Sequence, residues 1–155
     1  MGRVVQPDNT NFNGCYPFTL DQFGITKDES HNLFILVERG HCSNPTKVRN
    51  IENFGGSVAL IADNRSEDIA DAVMIDHNGS GHSLVTPGFM IDKKSGEQIS
   101  EALSKGDTVM MNASLEIHNR GNEVTVGMLF GSALDLEADS LRSFTELALE
   151  SAKTR

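Results

Sequence analysis

Two short apolar runs organise the first half of the chain. Leu33-Phe34-Ile35-Leu36-Val37 is bounded by Arg39-Gly40, and Ser57-Val58-Ala59-Leu60-Ile61-Ala62 ends at Asp63-Asn64. Runs of that length between turn residues fit strands buried on both faces. Between them Val48, Ile51 and Phe54 recur at helical spacing from Lys47 onward, and Gly55-Gly56 supplies the stop. The pattern predicts a strand, a helix and a second strand.

Beyond this unit the pattern loosens. Residues Asn64 to Ser83 are polar and acidic and finish in Asn78-Gly79-Ser80-Gly81, a composition that buries little apolar surface and predicts a long loop. Val85-Thr86-Pro87-Gly88-Phe89-Met90-Ile91 reads as a strand interrupted by proline. Ser95-Gly96-Glu97-Gln98 then fits a capping box, with Ile99, Ala102 and Leu103 as the buried stripe of the helix and Gly106 as its end. From Thr108 to Ile117 the alternation Val109, Met111, Ala113, Leu115, Ile117 predicts a strand, and Asn119-Arg120-Gly121-Asn122 turns it into a partner carrying Val124, Val126 and Met128. The tail from Asp139 reads as helical, with Leu141, Phe144, Leu147 and Ala148 on one side.

Composition narrows the function classes. A chain of 155 residues, 38% hydrophobic and 23% charged, is the size of one globular domain, and no stretch approaches the roughly 20 apolar residues that span a bilayer. Thirteen basic against 22 acidic residues give a formal charge of -9, which argues against nucleic-acid binding. The basic residues Lys47 and Arg49, and the pair Lys93-Lys94, read as solvated helix faces. Met1-Gly2 opens the chain without a charged-then-apolar leader, and Gln6 fails the myristoylation pattern. Met1 is read as the start of an excised segment, so the missing leader is silent on compartment. Two cysteines, Cys15 and Cys42, match no CxxC motif, which leaves two free thiols or one bridge.

Taken in order, Leu36-Val37-Glu38-Arg39-Gly40-His41-Cys42, then Lys47, then Phe54-Gly55-Gly56-Ser57 through Asp63-Asn64 resembles the signature of the protease-associated (PA) domain. That signature is a strand ending in R-G-x-C, a helix near a lysine, a small-residue turn and an apolar strand ending in Asn. Val85 to Ile91 resembles its isoleucine-proline strand, and Ser95-Gly96 the start of its second helix. The resemblance covers about residues 3 to 118, and within the family Ile61-Ala62-Asp63-Asn64-Arg65 looks closest to vacuolar sorting receptors. It implies an α/β fold, a small β-sandwich or open barrel with flanking short helices, in residues 1–121, with 122–155 as a C-terminal exit strand and helix. It implies a non-catalytic module without cofactor that binds a short peptide segment of a protein ligand. The setting would be luminal or extracellular, in a protein that is membrane-anchored elsewhere. The alternative is a regulatory or lid domain of a secreted peptidase or of a membrane-anchored RING ubiquitin ligase. The sequence departs from the family where Ser43-Asn44-Pro45 replaces the usual aromatic and small residues, and where the C-terminal part lacks the cysteine cluster of sorting receptors.

The resemblance also pairs Cys15 with Cys42, a bridge that on the chain-entropy argument stabilises by roughly 3–4 kcal/mol. A His41–Cys42 nucleophile and base is disfavoured, because neighbours on an extended loop diverge and no orienting acid is indicated. Arg39, at the end of a buried strand, suits bidentate bonds to a peptide carboxylate or carbonyls, and the family places this arginine at the cargo groove. A salt bridge from Arg39 to Glu38 or to an acidic loop is the competing role. Gly40, His41, Asn64, His77 and His82 complete the expected ligand-binding set on two loops, with His77 or His82 offering release of cargo on acidification. Asp76, His77 and His82 match no metal-ligand spacing, so no metal is expected. Sequons at Asn64, Asn78 and Asn112 are candidate glycosylation sites.

Overall fold

The computed structural model describes residues 1–26, 32–66, 79–120 and 123–132. Contacts divide the chain into two compact units, residues 2–109 and residues 110–155 together with Met1. The first unit holds β1 (Gly2–Val5), β2 (Leu33–Glu38), α1 (Asn44–Phe54), β3 (Val58–Ala62), β4 (Gly88–Ile91) and α2 (Lys93–Ser104). The second holds β5 (Met110–Arg120) and β6 (Glu123–Ser132). Among the described residues no helix is long and apolar enough to cross a membrane.

The expected α/β fold is present. In the first unit four strands lie side by side as β4-β3-β2-β1, all parallel, with Ile35 opposite both Val5 and Ala59, and Leu60 opposite Phe89. Every residue of β3, and all of β2 except Glu38, is buried, as an interior parallel strand requires. Alternate residues of each strand face opposite sides. Leu33, Ile35, Val37, Ala59 and Ile61 share one face with Val48 and Ile51 of α1, while Phe18, Phe23 and Phe54 cluster against that core. On the other face α2 meets Ala62 through Gly96, where a Cβ would stand 2.6 Å from the Ala62 Cβ, so the close approach requires glycine. Burying each of these branched side chains stabilises by roughly 1.5–3 kcal/mol, which makes β2 and β3 the rigid floor for the loops at their ends.

Helix α1 starts three residues earlier than its apolar period suggested. Ser43 is the N-cap, its hydroxyl accepting from the Thr46 N–H, and Pro45 sits in the first turn where no N–H is needed. The Ser43-Asn44-Pro45 departure from the family signature is thus the helix start. Gly55, at φ 99°, closes the helix as expected.

Three expectations are corrected. The cap of α2 is Asp92, whose carboxylate accepts from the Ser95 N–H at 2.9 Å and the Ser95 hydroxyl at 2.6 Å; Ser95 is inside the helix, because an ionised acceptor stands three residues before it. The stripe of Ile99, Ala102 and Leu103 is half-buried, and Gly96 is the buried position. The strand expected from Val85 begins only at Gly88: Val85 is 87% exposed, and the Val85 and Thr86 N–H groups donate to the Glu52 carboxylate at 2.7 and 2.8 Å instead of to a strand. Strand β1, with two of its four residues Gly and Arg, was not foreseen.

In the second unit β5 and β6 pair antiparallel from Met111 opposite Ser132 to Arg120 opposite Glu123, the hairpin that the alternation predicted. Residues 121 and 122, where core and exit segment were expected to meet, and the helix expected from Asp139 lie outside the described residues.

Candidate ligand-binding site

A parallel sheet puts the carboxyl ends of all its strands on one edge, and the loops that leave them are brought together there. Here that edge carries Arg39 to Cys42 after β2, Asp63 to Ser66 after β3, and Asp92 after β4. The ladder continues into the loops: the Arg39 N–H donates to the Ala62 carbonyl and the Asp63 N–H to the Ile91 carbonyl, each at 2.9 Å.

The register Glu38 opposite Ala62 makes Arg39 and Asp63 lateral neighbours. Arg39 Nη1 donates to Asp63 Oδ2 at 2.7 Å, with the arginine side chain 29% exposed and the aspartate 4%. Of the two internal partners weighed for Arg39, Glu38 and an acidic loop residue, the acidic loop supplies it. The other Asp63 oxygen takes the Arg65 N–H at 3.0 Å and faces Arg65 Nε at 3.5 Å. Burial pushes the Asp63 carboxyl up, but the Arg65 N–H and the Arg39 guanidinium outweigh it and hold Asp63 below the usual carboxylate value. Asp63 therefore fixes the guanidinium of Arg39 through one nitrogen. Nη2 and Nε have no partner among the described residues.

The backbone beside Arg39 is held as firmly. Gly40 and His41 both have positive φ, 99° and 67°, a left-handed pair that only the first adopts without strain. Cys42 is bonded to Cys15, 27 residues away, as the family resemblance implied, so neither sulfur is a nucleophile beside His41. The exposed His41 ring packs edge-on against Phe12 at 6.0 Å, and Asn64 Nδ2 donates to the Arg39 carbonyl at 3.4 Å.

Under the loop lies a residue read from sequence as solvated. Lys47 is fully buried; its ammonium donates to the Gly40 carbonyl at 2.7 Å and to the Asn13 carbonyl, and lies 3.6 Å from Cys15 Sγ. Burial lowers its pKa from 10.5 to about 8, against the opposite pull of Glu38. Lys47 thus ties the N-terminal loop to the Arg39 loop at the same place as the disulfide.

Along the same edge a cleft of about 420 Å³ is lined by Arg65, Ser66, Asp92, Lys93, Lys94 and Glu97. Sequence reading missed it, along with the roles of Asp63 and Lys47. The one available signal was Asp63, an acid following a strand at the place where the neighbouring strand is followed by Arg39.

The structure brings together Arg39, Gly40, His41 and Asn64. It does not bring His82 to them. His82 lies in a short turn, Ser80–Ser83, whose Ser83 hydroxyl accepts from Arg49 in the middle of α1, and the chain then enters β4 at its amino end. Its ring Nδ1 donates to the Gly79 carbonyl. Asp76, His77 and Asn78 lie outside the described residues. Of the remaining sequons, Asn64 is exposed on the carboxyl edge of the sheet, and Asn112 is exposed on β5 opposite Gly131. Among the described residues no group of His, Cys, Asp and Glu is placed to hold a metal ion.

Residues 1–99 match the family model described as PA domain. The chain is 35% identical over 124 residues to vacuolar-sorting receptors 3 and 4 of Arabidopsis thaliana, covering 72% of this chain and 18% of each receptor. It is 30% identical over 121 residues to vacuolar-sorting receptor 1 of Pisum sativum, again 72% of this chain and 18% of the relative. The chain spans about a fifth of the length of the curated relatives it matches.

Proposed function

The chain belongs to the PA-domain family, and we propose that it is a non-catalytic module that binds a short peptide segment of a protein ligand at the carboxyl edge of its sheet. The observation that carries this reading is Arg39, whose guanidinium is oriented by a buried carboxylate and is 29% exposed, with Nη2 and Nε unpartnered among the described residues. Such a group is preorganised for a carboxylate or a pair of carbonyls, since its rotamer is fixed before the ligand arrives. The left-handed Gly40-His41 turn and the Arg39 to Asn64 bond hold the rim beside it. The relatives are named as vacuolar-sorting receptors, which supports a receptor-like protein working in the secretory-pathway or vacuolar lumen. Sequons at Asn64, Asn78 and Asn112 suit that setting.

A peptide-array screen tests the reading. Arg39→Ala is expected to abolish or weaken binding by tenfold or more, about the loss of one charge-assisted contact, while Asp63 keeps Arg65 and the fold survives. Arg39→Lys should fall between, because an ammonium cannot present the planar fork. Identical profiles for wild type and Arg39→Ala, with both folded by circular dichroism, would remove Arg39 from the site.

A further inference from the structure

The bond between Cys15 and Cys42 is chemically asymmetric. Cys15 Sγ faces the Lys47 ammonium at 3.6 Å, with the Asn13 and Gly40 carbonyls nearby at 3.9 and 3.8 Å. Its side of the bond is thereby lined by a buried cation and the two carbonyls that cation binds, while Cys15 itself is half-buried. Cys42 is half-buried to the same degree, between the exposed His41 and Ser43, so what separates the two sulfurs is the cation beside Cys15. In thiol–disulfide exchange the incoming thiolate attacks one sulfur along the bond, and the other sulfur departs with the electron pair. The favoured leaving sulfur is the one whose thiolate is stabilised, and a neighbouring lysine does this.

We propose that Cys15–Cys42 is a directional thiol-exchange site, at which an external thiolate attacks Cys42 and Cys15 leaves as a thiolate paired with Lys47. The new bond joins the incoming sulfur to Cys42 Sγ as the bond to Cys15 Sγ breaks. A second external thiolate then attacks the incoming sulfur of the mixed disulfide and releases Cys42. Two external thiols become one disulfide, and both cysteines are reduced. Once Cys15 is a thiolate, Lys47 has a charged partner competing with the neutral Gly40 carbonyl, so exchange loosens the Arg39 loop twice, at the covalent tie and at the Lys47 tie. That last consequence rests on the peptide-binding reading; the exchange itself does not.

The test reads the chemistry directly. The 155-residue chain is exposed to glutathione for times short of full reduction, free thiols are trapped with iodoacetamide, and the adducts are mapped by mass spectrometry. Glutathione is expected on Cys42 and the alkyl group on Cys15. Glutathione on Cys15, or divided evenly, overturns the proposal. Lys47→Met is expected to slow the first exchange roughly tenfold, the effect of a leaving thiol whose pKa rises by one to two units, and to erase the preference. An unchanged rate with an unchanged preference would equally overturn it. Should Lys47→Met not fold, the wild-type map decides alone. Peptide binding is not read in either arm, so failure of the exchange proposal is separable from failure of the Arg39 site.

Discussion

Among the described residues two charged side chains are buried at the carboxyl edge of the sheet, and they are satisfied in opposite ways. Asp63, after β3, is met by two guanidinium groups and a backbone N–H, and its carboxyl is held ionised. Lys47, near the start of α1, is met by two neutral carbonyls and a disulfide sulfur, and burial draws it toward neutrality. The region around Asp63 fixes side chains and leaves them partly exposed, as a ligand contact needs. The region around Lys47 fixes backbone, and the lysine itself is closed to solvent. Orientation of Arg39 and position of its loop thus come from different interactions, so each can be broken without the other.

The largest effect is expected from the covalent part of the Lys47 region. Replacing Cys15 and Cys42 together by serine releases a 27-residue link and should cost roughly 3–4 kcal/mol in urea unfolding, reading the bond as a constraint on the unfolded chain. A loss below about 1 kcal/mol would mean that Lys47 and the Glu38 N–H bond to the Phe12 carbonyl at 3.0 Å already hold the two loops together.

Next is Asp63→Asn, with an expected loss of about 2 kcal/mol, less than for a fully buried pair because Arg39 and Arg65 are 29% and 43% exposed. Its signature is in acid. A carboxyl whose folded pKa lies below its unfolded value stabilises above the unfolded pKa, and that contribution disappears as pH falls through the folded pKa. The variant should therefore unfold with a flatter acid limb than wild type. Parallel limbs would show that Asp63 is not the charged anchor of Arg39.

The two regions differed equally in how far the sequence disclosed them. Strands β2 and β3 were legible because five or more apolar residues in a row have no other use in a chain of this composition, and Val48, Ile51 and Phe54 gave α1 its face. The Asp63 clamp was half-legible: Arg39 was singled out, but its partner depends on the parallel register that sets Glu38 beside Ala62. Lys47 was misread, since a lysine beside a helix start is normally solvated, and its burial is decided by a carbonyl 34 residues away at Asn13. The cap at Asp92 and the late start of β4 were displaced for a related reason, because competing acceptors, Asp92 for Ser95 and Glu52 for Thr86, outbid the local pattern. His82 was grouped with Arg39 by loop membership alone, and strand direction sends it toward the other end of α1.

The smallest effect at neutral pH is expected from Lys47→Met, and it sharpens the comparison most. The apolar side chain removes the cost of burying an ammonium but leaves the Gly40 and Asn13 carbonyls without their donor, so the two terms oppose and the net change should stay within about 1 kcal/mol. The pH dependence does not cancel. With a folded pKa of about 8 against 10.5 in the ordinary state, the unfolded chain holds more protons at this residue between those values, and stability must rise with pH across that window. Below about pH 8 both states are protonated and Lys47 contributes no slope. Wild type measured against Lys47→Met should thus gain stability from pH 8 toward 10.5, a slope of the same sign as the one Asp63 produces in acid, at the other end of the pH scale. If the difference between the two proteins is independent of pH in this range, the Lys47 amine is not desolvated in solution, and its tie to the Arg39 loop is no stronger than a surface contact.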